Sequence, residues 1–373
     1  MKVVLTRGDL LKGITTVQSA VASKNTMPIL ANVLLEARDK KLEFVATDLD
    51  MGIRCSVPAE IVDKGNITIN AKKLSDIVRE LPEATVELEI DDSHKIILTC
   101  QKSTFKVHGL PKDDFPILPE IKKDKVFKIK GSLLQEMIRK TIFAVSTDET
   151  RYVLNGVFFQ VDGGKLRMVA TDGHRLAFIE KKLENKNENK ASIIIPTKTL
   201  NELTKVISDL EKGKEEDDLM VEVIATDNQI KFVIEGVEII SRLIEGQFPN
   251  YEQVIPKESD KKIEASVSSL SAATRRVAIL TSEKSNSIRY QAKNGKLTIS
   301  SKTPDMGEAK EEIDVDYKGE EISIAYNAKY VLDVLKNVGT DTVNIELTQP
   351  LSPGILRPKG DADYLCVIMP MRV

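Results

Sequence analysis

The sequence contains no tryptophan, its aromatic share is only 5%, and histidine occurs three times. Single-stranded nucleic acid is commonly held by bases stacked on aromatic side chains, and this chain has little to offer that mode. His94, His108 and His174 form no helical pair four residues apart, and no Cys–His spacing suits zinc, so neither a metal nor a cofactor is expected. Cys55, Cys100 and Cys366 lie far apart, which points to reduced, packed thiols and not to a disulfide framework. A phosphate loop is missing as well. Gly164-Lys165 and Gly295-Lys296 are each followed by leucine, where nucleotide hydrolysis needs a hydroxyl for magnesium. No apolar run approaches the roughly 20 residues of a membrane span, and Met1 leads directly into the strand-like Val3-Val4-Leu5. The expectation is a cytoplasmic protein with no signal peptide and no membrane partner.

What the chain does have is length and repetition. At 373 residues, 41% of them hydrophobic, it exceeds what one core supports, and two or three domains are expected. Gly8-Asp9-Leu10-Leu11 is echoed by Gly131-Ser132-Leu133-Leu134, 123 residues on. Leu30-Ala31-Asn32-Val33-Leu34-Leu35 is echoed by Leu154-Asn155-Gly156-Val157-Phe158-Phe159, at an offset of 124 by the leading leucines and 123 by the asparagines, and Val45-Ala46-Thr47-Asp48 by Val169-Ala170-Thr171-Asp172 at 124. Leu81–Ile90 resembles Val338–Leu347, and Phe115-Pro116 and Phe248-Pro249 mark equivalent ends. Three modules follow, 1–120, 121–255 and 256–373, joined around Lys122-Lys123-Asp124-Lys125 and Pro256-Lys257-Glu258-Ser259.

Each module reads as two helices among many strands. The helices are expected over 9–22, 72–81, 132–146, 198–208, 268–280 and 328–337, with Asp9 capping the first and Ser132 to Gln135 forming a capping box. Elsewhere apolar residues alternate, as in Val86, Leu88 and Ile90 against Glu87 and Glu89. Asp162-Gly163-Gly164 and Asn294-Gly295 suit tight hairpins, so the sheets should be antiparallel and the class α+β.

Charge is unevenly spread. The net charge of −3 argues against a nucleic-acid binder, yet the six helical stretches sum to +6 and leave −9 for the remainder. Arg139-Lys140 and Arg275-Arg276 stand out. Basic helices gathered on one side of curved sheets would attract duplex phosphates without reading bases.

Two motifs admit a catalytic reading. Thr47-Asp48-Leu49-Asp50 offers two carboxylates for a metal, but its repeat Thr171-Asp172-Gly173-His174 keeps only one. Asp172, His174 and Ser192 make a triad on paper, without the Gly-x-Ser-x-Gly elbow that would expose a nucleophile. A phosphoryl or acyl transferase built on the Asp-Gly-His turn, and a DNA-repair scaffold that forms no ring, stand as alternatives.

Four strings are more specific: Arg151-Tyr152-Val153-Leu154-Asn155-Gly156, Thr171-Asp172-Gly173-His174-Arg175-Leu176-Ala177, Phe248-Pro249-Asn250-Tyr251, and Val367-Ile368-Met369-Pro370-Met371-Arg372-Val373. Together they resemble the bacterial DNA polymerase III β subunits, the sliding-clamp family, from Thr26-Met27-Pro28-Ile29-Leu30 to the last residue. The resemblance implies three clamp-fold domains with sheets outside and two helices each inside. Two chains would pair head to tail into a closed ring around double-stranded DNA, non-catalytic in itself although the holoenzyme is a DNA-directed DNA polymerase, a nucleotidyltransferase. Twelve helices at 8–10 Å spacing give a circumference of roughly 100–120 Å, wide enough for a duplex and some water.

The resemblance also assigns sites. A cleft for short partner peptides maps to Leu154, Thr171, Gly173, His174, Arg175, Leu176, Pro249, Val254, Val367, Met369, Pro370 and Met371. The partners implied are the polymerase α subunit, the clamp loader, translesion polymerases, ligase and mismatch-repair proteins. Lys24, Lys73, Arg79, Tyr152, Lys198, Lys205, Arg275 and Arg276 are the candidate DNA neighbours, and Phe105 and Val107 would meet Ile279 and Leu280 across the homodimer interface. Gln253 and Val153 stand where many relatives carry Arg and a second Tyr.

Overall fold

The computed structural model describes residues 1–22, 27–91, 93–121, 125–183, 190–212, 219–282, 285–304 and 306–372. Lys24 and the expected linker residues 122–124 lie outside that set. The chain folds into two compact units, one of Met1–Ser132 with Lys198–Leu243, the other of Leu133–Thr197 with Ile244–Val373.

Both units follow one plan, an eight-stranded antiparallel sheet beside a smaller one. In the first unit the large sheet runs, in spatial order, Lys125–Lys130, Met220–Ala225, Gln229–Ile234, Val237–Arg242, Met51–Pro58, Lys41–Thr47, Asn32–Arg38 and Gly65–Asn70. Its smaller sheet is Glu60–Asp63, Lys2–Thr6, Thr85–Ile90, Lys95–Cys100 and Ser103–His108. In the second unit the large sheet is Ala191–Pro196, Gly156–Asp162, Lys165–Thr171, Arg175–Lys182, Tyr364–Ile368, Gly354–Pro358, Thr342–Leu347 and Lys261–Ser266. The smaller one is Gly307–Asp314, Lys296–Thr303, Ser287–Lys293 and Ile322–Asn327. Each large sheet is thus four strands of one sequence module joined to four of the next, Ile239 facing Ile53 in one and Ala177 facing Cys366 in the other.

The alternation seen in sequence decides which faces are buried. In Thr85–Ile90 and Lys95–Cys100 the core takes Val86, Leu88, Ile96, Leu98 and Cys100. The expected two-residue turns are present, with Gly163 and Gly164 at φ 59° and 74° and Asn294 and Gly295 at 50° and 76°, the left-handed geometry that matches the twist of a hairpin.

Among the described residues six α-helices supply the other faces: α1 (Arg7–Val17), α2 (Ala71–Glu80), α3 (Gly131–Arg139), α4 (Thr197–Glu211), α5 (Val267–Ala278) and α6 (Ala328–Asn337). Leu10, Ile14 and Val17 of α1 and Leu74 and Val78 of α2 are wholly buried, as are Leu270, Ala273 and Val277 of α5. Two expectations about caps are corrected. Thr6 caps α1, its hydroxyl accepting from the Asp9 amide at 3.0 Å, so Asp9 sits in the first turn instead. Ser132 likewise lies inside α3, which begins at Gly131. The expected helix 132–146 is also too long. The Thr141 hydroxyl donates to the Met137 and Ile138 carbonyls where α3 ends, and a separate 3-10 turn follows over Ile142–Ala144. The stretch 9–22 likewise gives way, α1 ending at Val17 before the short turn Gln18–Ala20.

Cys55, Cys100 and Cys366 are buried free thiols, and burial pushes Cys55 and Cys366 up to about 12. Lys140 is a second surprise. Only 5% exposed, it bonds Asp361 at 3.2 Å and Glu136 at 2.8 Å and lies 4.9 Å from the Tyr364 ring, so it is a core ion and no part of a basic surface. Burial alone would raise the Asp361 carboxyl, but Lys140, the Asp363 amide and Lys181 outweigh it and hold the group below its usual range. A depressed carboxyl stabilises the fold above its unfolded value and loses that contribution as pH falls through the folded one. Asp361→Asn should therefore lower the unfolding free energy at neutral pH by about 1–3 kcal/mol in urea titrations. It should also flatten the stability lost on acidification below about pH 4.

Candidate functional site

The segment Thr171 to Arg175 turns the chain between Lys165–Thr171 and Arg175–Lys182, and the Thr171 and Asp172 side chains brace it from within. Thr171 Oγ1 donates to the Arg175 carbonyl at 2.6 Å and accepts from the Gly173 amide at 3.1 Å. Asp172 Oδ1 accepts from the His174 and Arg175 amides at 2.9 and 3.0 Å, and its Oδ2 accepts from Arg175 Nε at 3.1 Å. The repeat copies this arrangement. Thr47 donates to the Met51 carbonyl and accepts from the Leu49 amide, while Asp48 accepts from the amides of Asp50 and Met51 and pairs with Lys198. An aspartate so occupied shapes a turn. His174 stacks on Tyr330 at 6.4 Å, and Ser192 accepts from Gln160, so the paper triad is not assembled.

Arg175 anchors the turn from below. Its guanidinium donates to Asp333 Oδ2 at 2.5 Å and to the Phe143 carbonyl at 2.6 Å, and lies 4.6 Å from the Tyr330 ring. Only 8% exposed, it holds the turn more than it faces solvent. The C-terminal tail passes alongside, the Met369 amide donating to the His174 carbonyl at 2.9 Å and the Met371 amide to Ala325 at 2.8 Å.

Behind the turn lies a cluster of Leu154, Val169, Leu176, Ile355, Leu365 and Val367, closed by Phe248 and Tyr251. Phe158 stacks on Phe248 at 5.0 Å. The cleft residues thus divide. Leu176 and Val367 are buried floor, Leu154 is nearly so, while Val254 at 41% and Met369 at 37% exposed rise beside them, with Gly173, His174 and Pro249 also exposed. A bulky apolar side chain laid here would meet Met369, a flexible thioether suited to varied shapes. Arg151 was missed by the sequence reading. It donates to the Asp172 carbonyl at 2.8 Å and sets a cation at the rim, although it opens one of the four diagnostic strings.

The basic residues are dispersed over the helices. Lys73, Arg79, Lys205, Arg275 and Arg276 are exposed, and Tyr152 is 55% exposed. Several have carboxylate neighbours: Lys198 pairs with Asp48, Arg276 with Glu311 at 2.6 Å, and Lys205 with Glu202 at 3.9 Å. Over their observed bounds the helices carry +4, so the remainder of a −3 chain carries −7. The segregation is weaker than the expected +6 because α4 continues through Asp209 and Glu211 and α3 stops before Lys140. Phe105 and Val107 lie half-buried on the edge strand Ser103–His108, and beyond α5 Ile279 is 71% exposed beside a half-buried Leu280.

Three family models match in succession: the N-terminal domain of the DNA polymerase III beta subunit over residues 1–119, its central domain over 128–250, and its C-terminal domain over 252–372. The chain belongs to the DNA polymerase III beta subunit family. The beta sliding clamp of Caulobacter vibrioides is 36% identical and that of Bacillus subtilis 33%, each with all of both chains covered. The crystal structure of the Pseudomonas aeruginosa DNA polymerase III subunit beta superposes with a TM-score of 0.95 at 34% identity over the whole of both chains. Membership in the beta subunit family means three clamp domains and a non-catalytic role, and it sets aside the transferase reading of the Asp-Gly-His turn.

Gly173 gives the site a simple check. Its φ is 85°, and a Cβ there would lie 2.9 Å from Arg151 Nη1. Gly173→Ala should cost about 1–3 kcal/mol in chemical denaturation, from backbone strain and a displaced Arg151.

Proposed function

We propose that two copies of this chain close head to tail into a ring around duplex DNA and tether the replicative polymerase and other replication and repair proteins. The observation that carries the reading is a repeated junction that, among the described residues, is left unmade at both ends of the repeat. Val237–Arg242 joins module two to Met51–Pro58 of module one, and Tyr364–Ile368 joins module three to Arg175–Lys182 of module two. By position in the repeat, Ser103–His108 corresponds to the first member of each pair and Gly307–Asp314 to the second. Both lie at the end of their sheets, with an unpaired edge of the kind that seeks a partner strand.

Counted from the Ile234–Val237 and Cys100–Ser103 turns on one side and from the matching pairs Lys41–Pro58 and Lys296–Asp314 on the other, the register of Ile239 opposite Ile53 sets Phe105 opposite Ala309 and Lys106 opposite Glu308 in the second copy. Apolar faces apolar and cation faces anion. Phe105 and Val107 then share a face, where Ile279 and Leu280 would cover them. Two such contacts, related by a twofold axis, close the assembly and leave no free edge of this type.

Within the ring, Lys24, Lys73, Arg79, Tyr152, Lys198, Lys205, Arg275 and Arg276 would neighbour DNA phosphates. A Debye length of about 8 Å makes that attraction diffuse and compatible with sliding. The modules 1–120, 121–255 and 256–373 serve as the three domains. Leu154, Leu176, Val254, Val367 and Met369 accept the Leu and Phe of a partner peptide while His174 and Arg151 meet its polar end. Burial of two such side chains contributes roughly 1.5–3 kcal/mol each before ordering costs, which places a single peptide near micromolar affinity. Among the described residues no helix is long and apolar enough to cross a membrane, and the reading places the protein in the cytoplasm.

Sedimentation tests the closure: Ile279→Ala with Leu280→Ala should halve the mass of the wild-type assembly, and an unchanged mass would count against the junction. Removing residues 369–373 should abolish binding of a fluorescent Gln-x-x-Leu-Phe-like peptide at unchanged mass. Peptide bound as well by the truncated dimer would show the cleft to be elsewhere.

A further inference from the structure

One arrangement of strands occurs three times, once in each module. Across three neighbouring strands a row of facing residues reads Leu34, Val45 and Arg54 in module one, Phe158, Val169 and Phe178 in module two, and Arg289, Ser300 and Lys310 in module three. A fourth strand adds Thr68, Ile194 and Ala325. Their carbonyls accept from the passing amides of Leu110, Ile244 and Met371 at 2.9, 3.0 and 2.8 Å, which puts the three rows in register.

Beyond that bond the chain crosses the row in modules one and two. Phe115 and Leu118 join the cluster of Leu34 and Val45. Phe248 stacks on Phe158 at 5.0 Å, and Tyr251 lies 6.1 Å from Phe158 and 5.8 Å from Phe178. Both segments thus cover their row with side chains three residues apart.

The third row differs in chemistry and in cover. Arg289 and Lys310 are exposed on either side of a half-buried Ser300, and among the described residues no segment crosses them. With Ser287, Lys302 and Glu308 they line an open hollow of roughly 560 Å³, a size within the range of ligand sites. Other cations on this face of the sheet are matched, Lys293 with Glu321 at 2.6 Å, Lys296 with Glu312 at 3.0 Å and Lys302 with Glu308 at 3.6 Å. Arg289 and Lys310 have neither a carboxylate nor a hydrogen-bonding partner among the described residues. Where module two carries two rings beneath two others, module three carries two uncompensated cations.

We infer that this row is a docking site for an extended acidic segment of a partner protein, with carboxylates three residues apart, one for Arg289 and one for Lys310. The spacing comes from the two covered rows and the sign from the two cations, of which the arginine can take a carboxylate on two parallel N–H donors. A nucleic acid is the poorer occupant, because the covered rows seat polypeptide and this hollow has no aromatic ring for a base. In the ring proposed above, Thr104 of the second copy would stand opposite Lys310, a side chain too short to cover the row. The inference depends on neither the ring nor the first cleft.

The full chain is titrated at low ionic strength, where such pairs are least screened, with acetyl-Ala-Glu-Pro-Asn-Glu-Ala-amide, and followed by NMR at the Arg289 Nε–H and the Ala325 methyl. Both signals should shift saturably, while the methyls of Leu154 and Met369 in the first cleft stay still. An isomer with adjacent glutamates, acetyl-Ala-Glu-Glu-Pro-Asn-Ala-amide, should bind at least fivefold more weakly. Arg289→Glu and Lys310→Glu should each weaken the first peptide about tenfold or more, since reversal replaces attraction by repulsion. The double reversal should instead bind acetyl-Ala-Lys-Pro-Asn-Lys-Ala-amide, a gain that a misfolded variant could not give. The inference is overturned if the reversals leave binding unchanged, if the two isomers bind alike, or if the shifts fall in the first cleft. It is overturned equally if a single-stranded oligonucleotide binds the row more tightly than the peptide and is weakened by the same reversals.

Discussion

Antiparallel pairing between the edge strand of one module and the edge strand of the next is the interaction from which the remaining features follow. At Glu238 to Ser241 against Arg54 to Met51, and at Tyr364 to Ile368 against Ile179 to Arg175, two four-stranded halves become one sheet of eight. Backbone hydrogen bonds fix the register, and a slip of one residue would turn every buried side chain to the wrong face. Because the register is fixed, the chain leaving the junction always passes the Thr-Asp turn of the neighbouring module. A groove forms wherever that happens. The same pairing leaves Ser103–His108 and Gly307–Asp314 exposed at the two ends of the repeat.

The grooves differ because the side chains on the common frame differ. Arg175 draws the second-unit turn toward Asp333 and Phe143, so that Gly173 and His174 form a low rim over a floor of Leu176 and Val367. Met51 occupies the equivalent place in the first unit and has no such anchor, while Leu49 raises the wall. Charge follows similar economy. Lys198, Arg276 and Lys205 each have a carboxylate nearby, so the helices present only a modest positive field.

Much of this was readable in the residues. Alternation in Thr85–Ile90, the Gly163-Gly164 and Asn294-Gly295 turns and the spacing of 124 between the two Thr-Asp pairs give antiparallel strands in repeated modules before any coordinates. Helix ends were less readable, since Thr6 competes with Asp9 for the same cap and only packing decides between them. Lys140 could not be placed at all. Its neighbours Asp361 and Tyr364 are more than 200 residues away, and a lysine after an arginine looks like solvent-facing charge until a carboxylate arrives from another module. Arg151 illustrates the opposite case, present in a diagnostic string yet given its role only by the path of the Asp172 carbonyl. The sequence also contained the paired modules without showing that strands of neighbouring modules merge, because a sheet edge carries no signature of which chain segment will cover it.

Encirclement is the claim on which the functional account rests, and topology distinguishes it from ordinary affinity. The decisive measurement is the lifetime of the protein on a nicked circular duplex after loading, compared with its lifetime on the same molecule once a single restriction cut has linearised it. The account calls for long retention on the circle, rapid loss through the free ends after the cut, and the same pattern on duplexes of unrelated sequence. Equal lifetimes on circular and linear DNA would mean that the protein grips DNA without enclosing it.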